Sequence, residues 1–72
     1  MARLGNKEVV RMAAALVASK IFSDYVGQGG VLEPESYVEG WLALNAPQAE
    51  DEFEGFVFKI FIELLWAHRR VK

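Results

Sequence analysis

The side chains that could do chemistry are few, and their spacing argues against most of it. His68 is the single histidine, cysteine is absent, and no serine lies in a nucleophile motif, so neither a Ser/His nor a Cys/His pair has support. Beside Arg69 at a helix end, His68 reads as a surface group opposing the helix dipole.

Glu50, Asp51, Glu52 and Glu54 could suggest a site for a hard cation. A calcium loop needs oxygen ligands at alternate positions, a central glycine and a closing glutamate, whereas carboxylates crowded on a helix start point apart. No metal and no cofactor is expected. Gly27, Gly29 and Gly30 in GQGG lack the preceding strand and the Lys-Ser/Thr of a phosphate loop, and they read as a turn. Lys20 and Asp24, four apart, read as a surface ion pair at the rim of the core.

His68, Arg69, Arg70 and Lys72 form a compact basic end on a chain of formal net charge -2. Without a wider basic face or interleaved stacking aromatics, nucleic-acid binding is not expected. A helix-turn-helix would need a polar, base-reading second helix, which this sequence does not supply. These residues therefore give an expectation of a non-enzymatic protein. What remains is the set of elements that carry them.

The dominant element is Glu50 to Lys72, EDEFEGFVFKIFIELLWAHRRVK. Its middle would also suit a buried strand, but acids at the start and bases at the finish oppose a helix macrodipole at both termini. It reads as a helix of about six turns. At about 100° per residue, Glu52, Lys59, Glu63 and Arg70 fall in one narrow stripe. Phe53, Phe56, Val57, Phe58, Ile60, Phe61, Ile62, Leu64, Leu65 and Trp66 cover the rest. Such a helix is normally enclosed on several sides, and little other chain is available to enclose it.

From Lys7 to Val26 a first helix is expected, capped by Asn6, with Val9, Val10, Ala13, Ala14, Val17, Ile21 and Tyr25 on its apolar face. Met12, Leu16, Phe22 and Val26 lie outside that face. Ala13, Ala14, Ala15 and Ala18 would let a neighbouring helix come close. Gly27 is placed for the left-handed residue beyond the helix end. Val31 and Leu32 are expected to anchor the loop on the core.

A short second helix follows, with two competing starts: Pro34 in a first turn, or a capping box at Ser36-x-x-Glu39. Its inward residues are expected to be Tyr37, Val38, Trp41, Leu42 and Leu44. Gly40 marks either a close crossing or a weak helix. Pro47 separates this helix from the next.

The whole is read as one all-α domain over residues 1–72, three helices (long, short, long), forming a small bundle completed by oligomerisation. At 72 residues and without disulfides, a single core supplies only about 3 to 5 kcal/mol. Met1 to Ala18 is not read as a secretory signal, because Glu8 interrupts it and Lys20 follows at once. No charge-free run reaches the roughly 20 residues of a membrane span, so a cytoplasmic protein is expected and membrane association is not.

Leaving four large side chains of the third helix in water would forfeit about 6 to 12 kcal/mol, at about 1.5 to 3 kcal/mol each. A homodimer built on the first and third helices, binding a further protein, is the expected partnership. Its expected surface is Phe53, Phe56, Lys59, Ile60, Phe61, Glu63, Leu64, Trp66 and Arg70. One geometry packs two third helices antiparallel about an axis near Phe61, pairing Glu52 with Arg70, Lys59 with Glu63 and Glu54 with His68. The alternative is a peripheral membrane or anionic-ligand binder using the aromatic and basic third helix.

Overall fold

The computed structural model describes residues 6–30 and 32–71, with Asn6 and Val71 described by their backbone alone. Three helices, α1 (Asn6–Gly27), α2 (Pro34–Asn45) and α3 (Asp51–Val71), make up the fold, with no strand among the described residues. The expected long, short, long order is what the chain adopts. The lead-in Met1 to Gly5, the Asn6 cap, the Val31 anchor and the terminal Lys72 lie outside the described residues or side chains.

α1 and α3 share the largest helix–helix interface and run in the same direction. The Arg11 guanidinium sits 5.3 Å over the Phe56 ring, while Phe22 meets Phe61 and His68 edge to face at 6.1 and 5.6 Å. Further along, Tyr25 and Leu65 border the same hollow. α2 runs back the other way, from Tyr37 against Tyr25 to Ala43 and Ala46 beside Glu54 and Phe58 of α3.

The core is one cluster: Ala14, Ala18, Ile21 and Tyr25 of α1, Val38 and Leu42 of α2, Val57, Phe61 and Leu65 of α3. α1 buries an i, i+4, i+7, i+11 row and α3 an i, i+4, i+8 row, each the stripe a helix presents to one side. Ala14 and Ala18 are fully buried, so the small side chains of α1 do lie where the helices approach. Phe53, Phe56, Phe58, Ile60 and Ile62 pack partly buried against this cluster. A single chain thus covers more of α3 than its apolar circumference suggested.

The turn after α1 is organised by Tyr25. Its backbone carbonyl accepts from Gln28 N (3.2 Å) and Gly30 N (3.0 Å), and its hydroxyl reaches Leu32 O at 2.6 Å and Gly30 O at 3.1 Å. A hydroxyl carries one proton, so the shorter contact is the main bond and the longer one a minor share. The left-handed residues are Gly29 (φ 96°) and Gly30 (φ 64°), whereas Gly27 remains helical. The expectation at Gly27 is corrected by two residues: α1 takes in Gly27 itself, and the left-handed conformation falls on Gly29 and Gly30. Leu32 also departs from its expected role, since its side chain is exposed and its carbonyl is what Tyr25 holds.

Pro34 opens α2, and Glu33 is its N-cap, the carboxylate accepting from Glu35 N at 3.2 Å. The Ser36 box is therefore not the start; proline needs no donor at that position and its φ is already helical. At the other end the Asn45 side chain donates back to Trp41 O at 2.9 Å, and Ala46 N to Leu42 O at 2.7 Å. Val38 and Leu42 face inward as expected, with Tyr37 and Trp41 half-buried, but Leu44 is 84% exposed. Two turns further along the helix than Tyr37, it points past the edge of the core.

Beyond its own stretch of helix backbone, nothing among the described residues lies within 4 Å of a Cβ built on Gly40, so this glycine marks no close crossing. A Gly40→Ala variant is expected to raise stability by about 0.5 to 1 kcal/mol through helix propensity and a less disordered unfolded chain. A urea melt checks this, and a lowered midpoint would mean that the position is tighter than its geometry shows.

Candidate functional site

The side chains that remain in water after folding fall on three surfaces. On α3, Glu52, Lys59, Glu63 and Arg70 are all exposed, as their common stripe implies. Trp66 joins them at 62% exposure. It lies three residues after Glu63 and four before Arg70, so helix geometry puts it on this same charged side and turns it away from Val57 and the core.

That arrangement corrects part of the expected interaction surface. Phe61 is completely buried, ringed by Phe22 and Tyr25, and cannot meet a partner. Phe53, Phe56, Ile60 and Leu64 are half-buried and lie along the flanks of the core row. Lys59, Glu63, Trp66 and Arg70 are the members the fold leaves exposed.

The basic end of α3 is split between two roles. His68 packs its ring edge on Phe22 and is half-buried, so it is less of a surface group than its position suggested. His68 and Arg69 border a hollow of about 400 Å³ with Val26, Gly29 and Gly30, at the end of α1. α1 has no basic residue in its own last turn, and Arg69 of α3 borders the hollow at its carbonyl end, where a positive charge opposes the helix dipole. On the outer side, Arg69 and Arg70 flank Trp66.

The second surface is a groove along the outer side of α2, about 620 Å³, walled by Leu32, Tyr37, Trp41 and Leu44 with Gly40 in its floor. Asp24, Glu33, Gln28 and Ser36 supply its polar edge. Asp24 is partly engaged, since Trp41 Nε1 donates to it at 3.4 Å and Lys20 lies 3.8 Å away. The expected Lys20–Asp24 pair thus exists at the rim of the core, with an indole as third member.

The third surface is the back of α1, where Val9, Met12 and Leu16 are exposed at i, i+3 and i+7. Val9 was expected inside. About 100° per residue separates this row from Ala14, Ala18 and Ile21 by nearly half a turn, so one neighbour cannot cover both faces.

No protein-family model, curated protein or solved structure matches this chain. The reading of these surfaces therefore stands on their geometry and charge.

Two signals in the sequence point to these surfaces. The first is the wheel position of Trp66, counted among the apolar residues although it falls within the charged stripe. The second is a segregation of charge: between Lys20 and Lys59 the chain carries Asp24, Glu33, Glu35, Glu39, Glu50, Asp51, Glu52 and Glu54, and no basic side chain. The groove on α2 lies within that acidic stretch. The cations are confined to the two ends of the chain.

Among the described residues no three acidic or histidine side chains converge where a cation could sit. No described helix is long and apolar enough to cross a membrane.

Proposed function

We propose that this chain is a small non-enzymatic interaction module that works as a helical homodimer and binds another protein. The observation that carries the reading is the exposure of large apolar side chains that no helix of the chain covers: Leu16 (75%), Leu44 (84%) and Trp66. Scattered apolar residues are ordinary on a protein surface, but here they gather into a row on α1, a walled groove on α2 and a Trp-Arg patch on α3. Aromatic and arginine side chains of this kind are the ones that dominate protein interfaces. The setting proposed for the module is the cytoplasm.

Sedimentation equilibrium across the micromolar range tests self-association. The apparent mass is expected to rise from one chain towards two as concentration increases. A strict monomer over that range would remove the homodimer from the reading.

A second reading has its own support in the grouping of Trp66 with Arg69 and Arg70, an aromatic ring and two cations that suit an anionic lipid surface. Vesicle flotation separates the two. Capture by phosphatidylserine-containing vesicles but not by neutral ones favours this peripheral binder, and no flotation with either composition removes it.

A further inference from the structure

We infer that the groove on α2 receives the Trp66 end of α3 from a second copy of this chain. The inference rests on the self-association proposed above and names the surfaces that make it. The groove offers apolar walls, Tyr37, Trp41 and Leu44, beside a carboxylate edge at Glu33. One oxygen of Glu33 caps α2 through Glu35 N, which leaves the other free to accept from outside. Asp24 is the second carboxylate on the same edge, while Glu39 lies on the other side of α2, in the hollow towards Phe58 of α3.

The complementary piece is on the same chain. Trp66 stands exposed one turn before Arg69 and Arg70, and among the described residues the one ion pair is Lys20–Asp24, so neither arginine is matched by a carboxylate there. An indole entering an apolar pocket, with guanidinium groups meeting carboxylates at its rim, is the arrangement in which Trp and Arg contribute most to an interface. Trp66 faces away from the core that α2 covers, so the groove it can enter belongs to another molecule. Knob and groove are different parts of the surface, and two copies close on each other when each Trp66 enters the other's groove.

The test is complementation between two exposed-site variants, Leu44→Glu in the groove and Trp66→Ala on the knob, each first shown by circular dichroism to keep its helix content. Alone, each is expected to associate about tenfold or more weakly than the wild type in sedimentation velocity. Mixed in equal amounts, they are expected to form a 1:1 complex, because one copy still has its knob and the other its groove. Arg69→Glu with Arg70→Glu provides an independent knob variant with the same expected pattern, and wild-type association is expected to weaken as salt is raised from low to molar concentration.

Wild-type-like association by both single variants, or a mixture that fails to associate, overturns the exchange. Lys59→Glu distinguishes the other geometry: it leaves the exchange intact and opposes the Lys59–Glu63 contacts of two antiparallel α3 helices. A dimer broken by Lys59→Glu and untouched by Leu44→Glu overturns the exchange while the interaction-module reading stands. A wild type that is monomeric throughout overturns both.

Discussion

A Phe61→Ala variant is expected to be largely unfolded at room temperature, whatever the protein's partners do. Phe61 is completely buried at the centre of the one core cluster, with its ring edge to face against Phe22 at 6.1 Å and Tyr25 at 5.6 Å. Truncating a buried phenylalanine costs about 3 to 5 kcal/mol, the lost transfer energy plus the cavity left behind. The folded state of a chain this size holds only about 0.05 to 0.15 kcal/mol per residue. The deletion therefore removes most of its stability. A circular dichroism melt in urea checks it, and a midpoint near the wild-type value would show that Phe61 is not at the centre of the core. The control lies on the same helix: Trp66→Ala, at an exposed position, is expected to change monomer stability by no more than about 0.5 kcal/mol. The contrast separates the part of α3 that folds the chain from the part that meets a partner.

The second largest effect is expected from Tyr25→Phe, which removes one oxygen. The hydroxyl holds Leu32 O at 2.6 Å and shares its proton with Gly30 O, so the turn between α1 and α2 is tied to a residue in the core. The ring stays in place in the variant, and its contacts with Tyr37 and Phe61 persist. What is lost is a part-buried hydrogen bond, and the carbonyls it served must turn to water, a cost of about 1 to 2 kcal/mol. Helix content is expected to be unchanged. The amides of Gln28, Gly29 and Gly30, which bond back into the last turn of α1, are expected to exchange with deuterium faster. Unaltered stability together with unaltered exchange in this turn would dismiss the role assigned to the hydroxyl.

The sequence makes the elements legible and the assignments between them much less so. Acids before Phe53 and bases after Trp66 identify α3 as a helix despite its strand-like middle, and Pro34 and Pro47 bracket α2 closely. Fold class and helix order follow from these local signals. Periodicity says which residues share a face, but a face does not name its neighbour. Nothing in the spacing of Phe61 distinguishes burial against α1 from burial against a second copy, and only the fold shows that α1 is what covers it. The left-handed position was misplaced for a similar reason: GQGG contains three residues without Cβ, and the strain that chooses Gly29 and Gly30 arises only once Tyr25 pulls the chain back. Leu44 fails because a 12-residue helix is too short to show where its stripe leaves the core. The exposed surface is readable from the sequence, since the Trp66 position and the all-acidic stretch from Asp24 to Glu54 need no structure to see.

The shared direction of α1 and α3 has a consequence for how the chain reaches its fold. Neighbouring helices that run the same way cannot be joined by a short turn, and the pairs that bind them, Arg11 with Phe56 and Phe22 with Phe61, are about 40 residues apart. Closing a loop of that length costs about 3 kcal/mol before any of the core is gained. The local pair, α1 with α2, shares too small an interface to hold alone. Ala14, Ala18 and Ile21 stay bare until α3 arrives, and α3 follows both other helices in the sequence. Order therefore propagates from α3 back to α1: the earlier helix is shaped by the later one, and a polypeptide cut short within α3 has no smaller structure to fall back on.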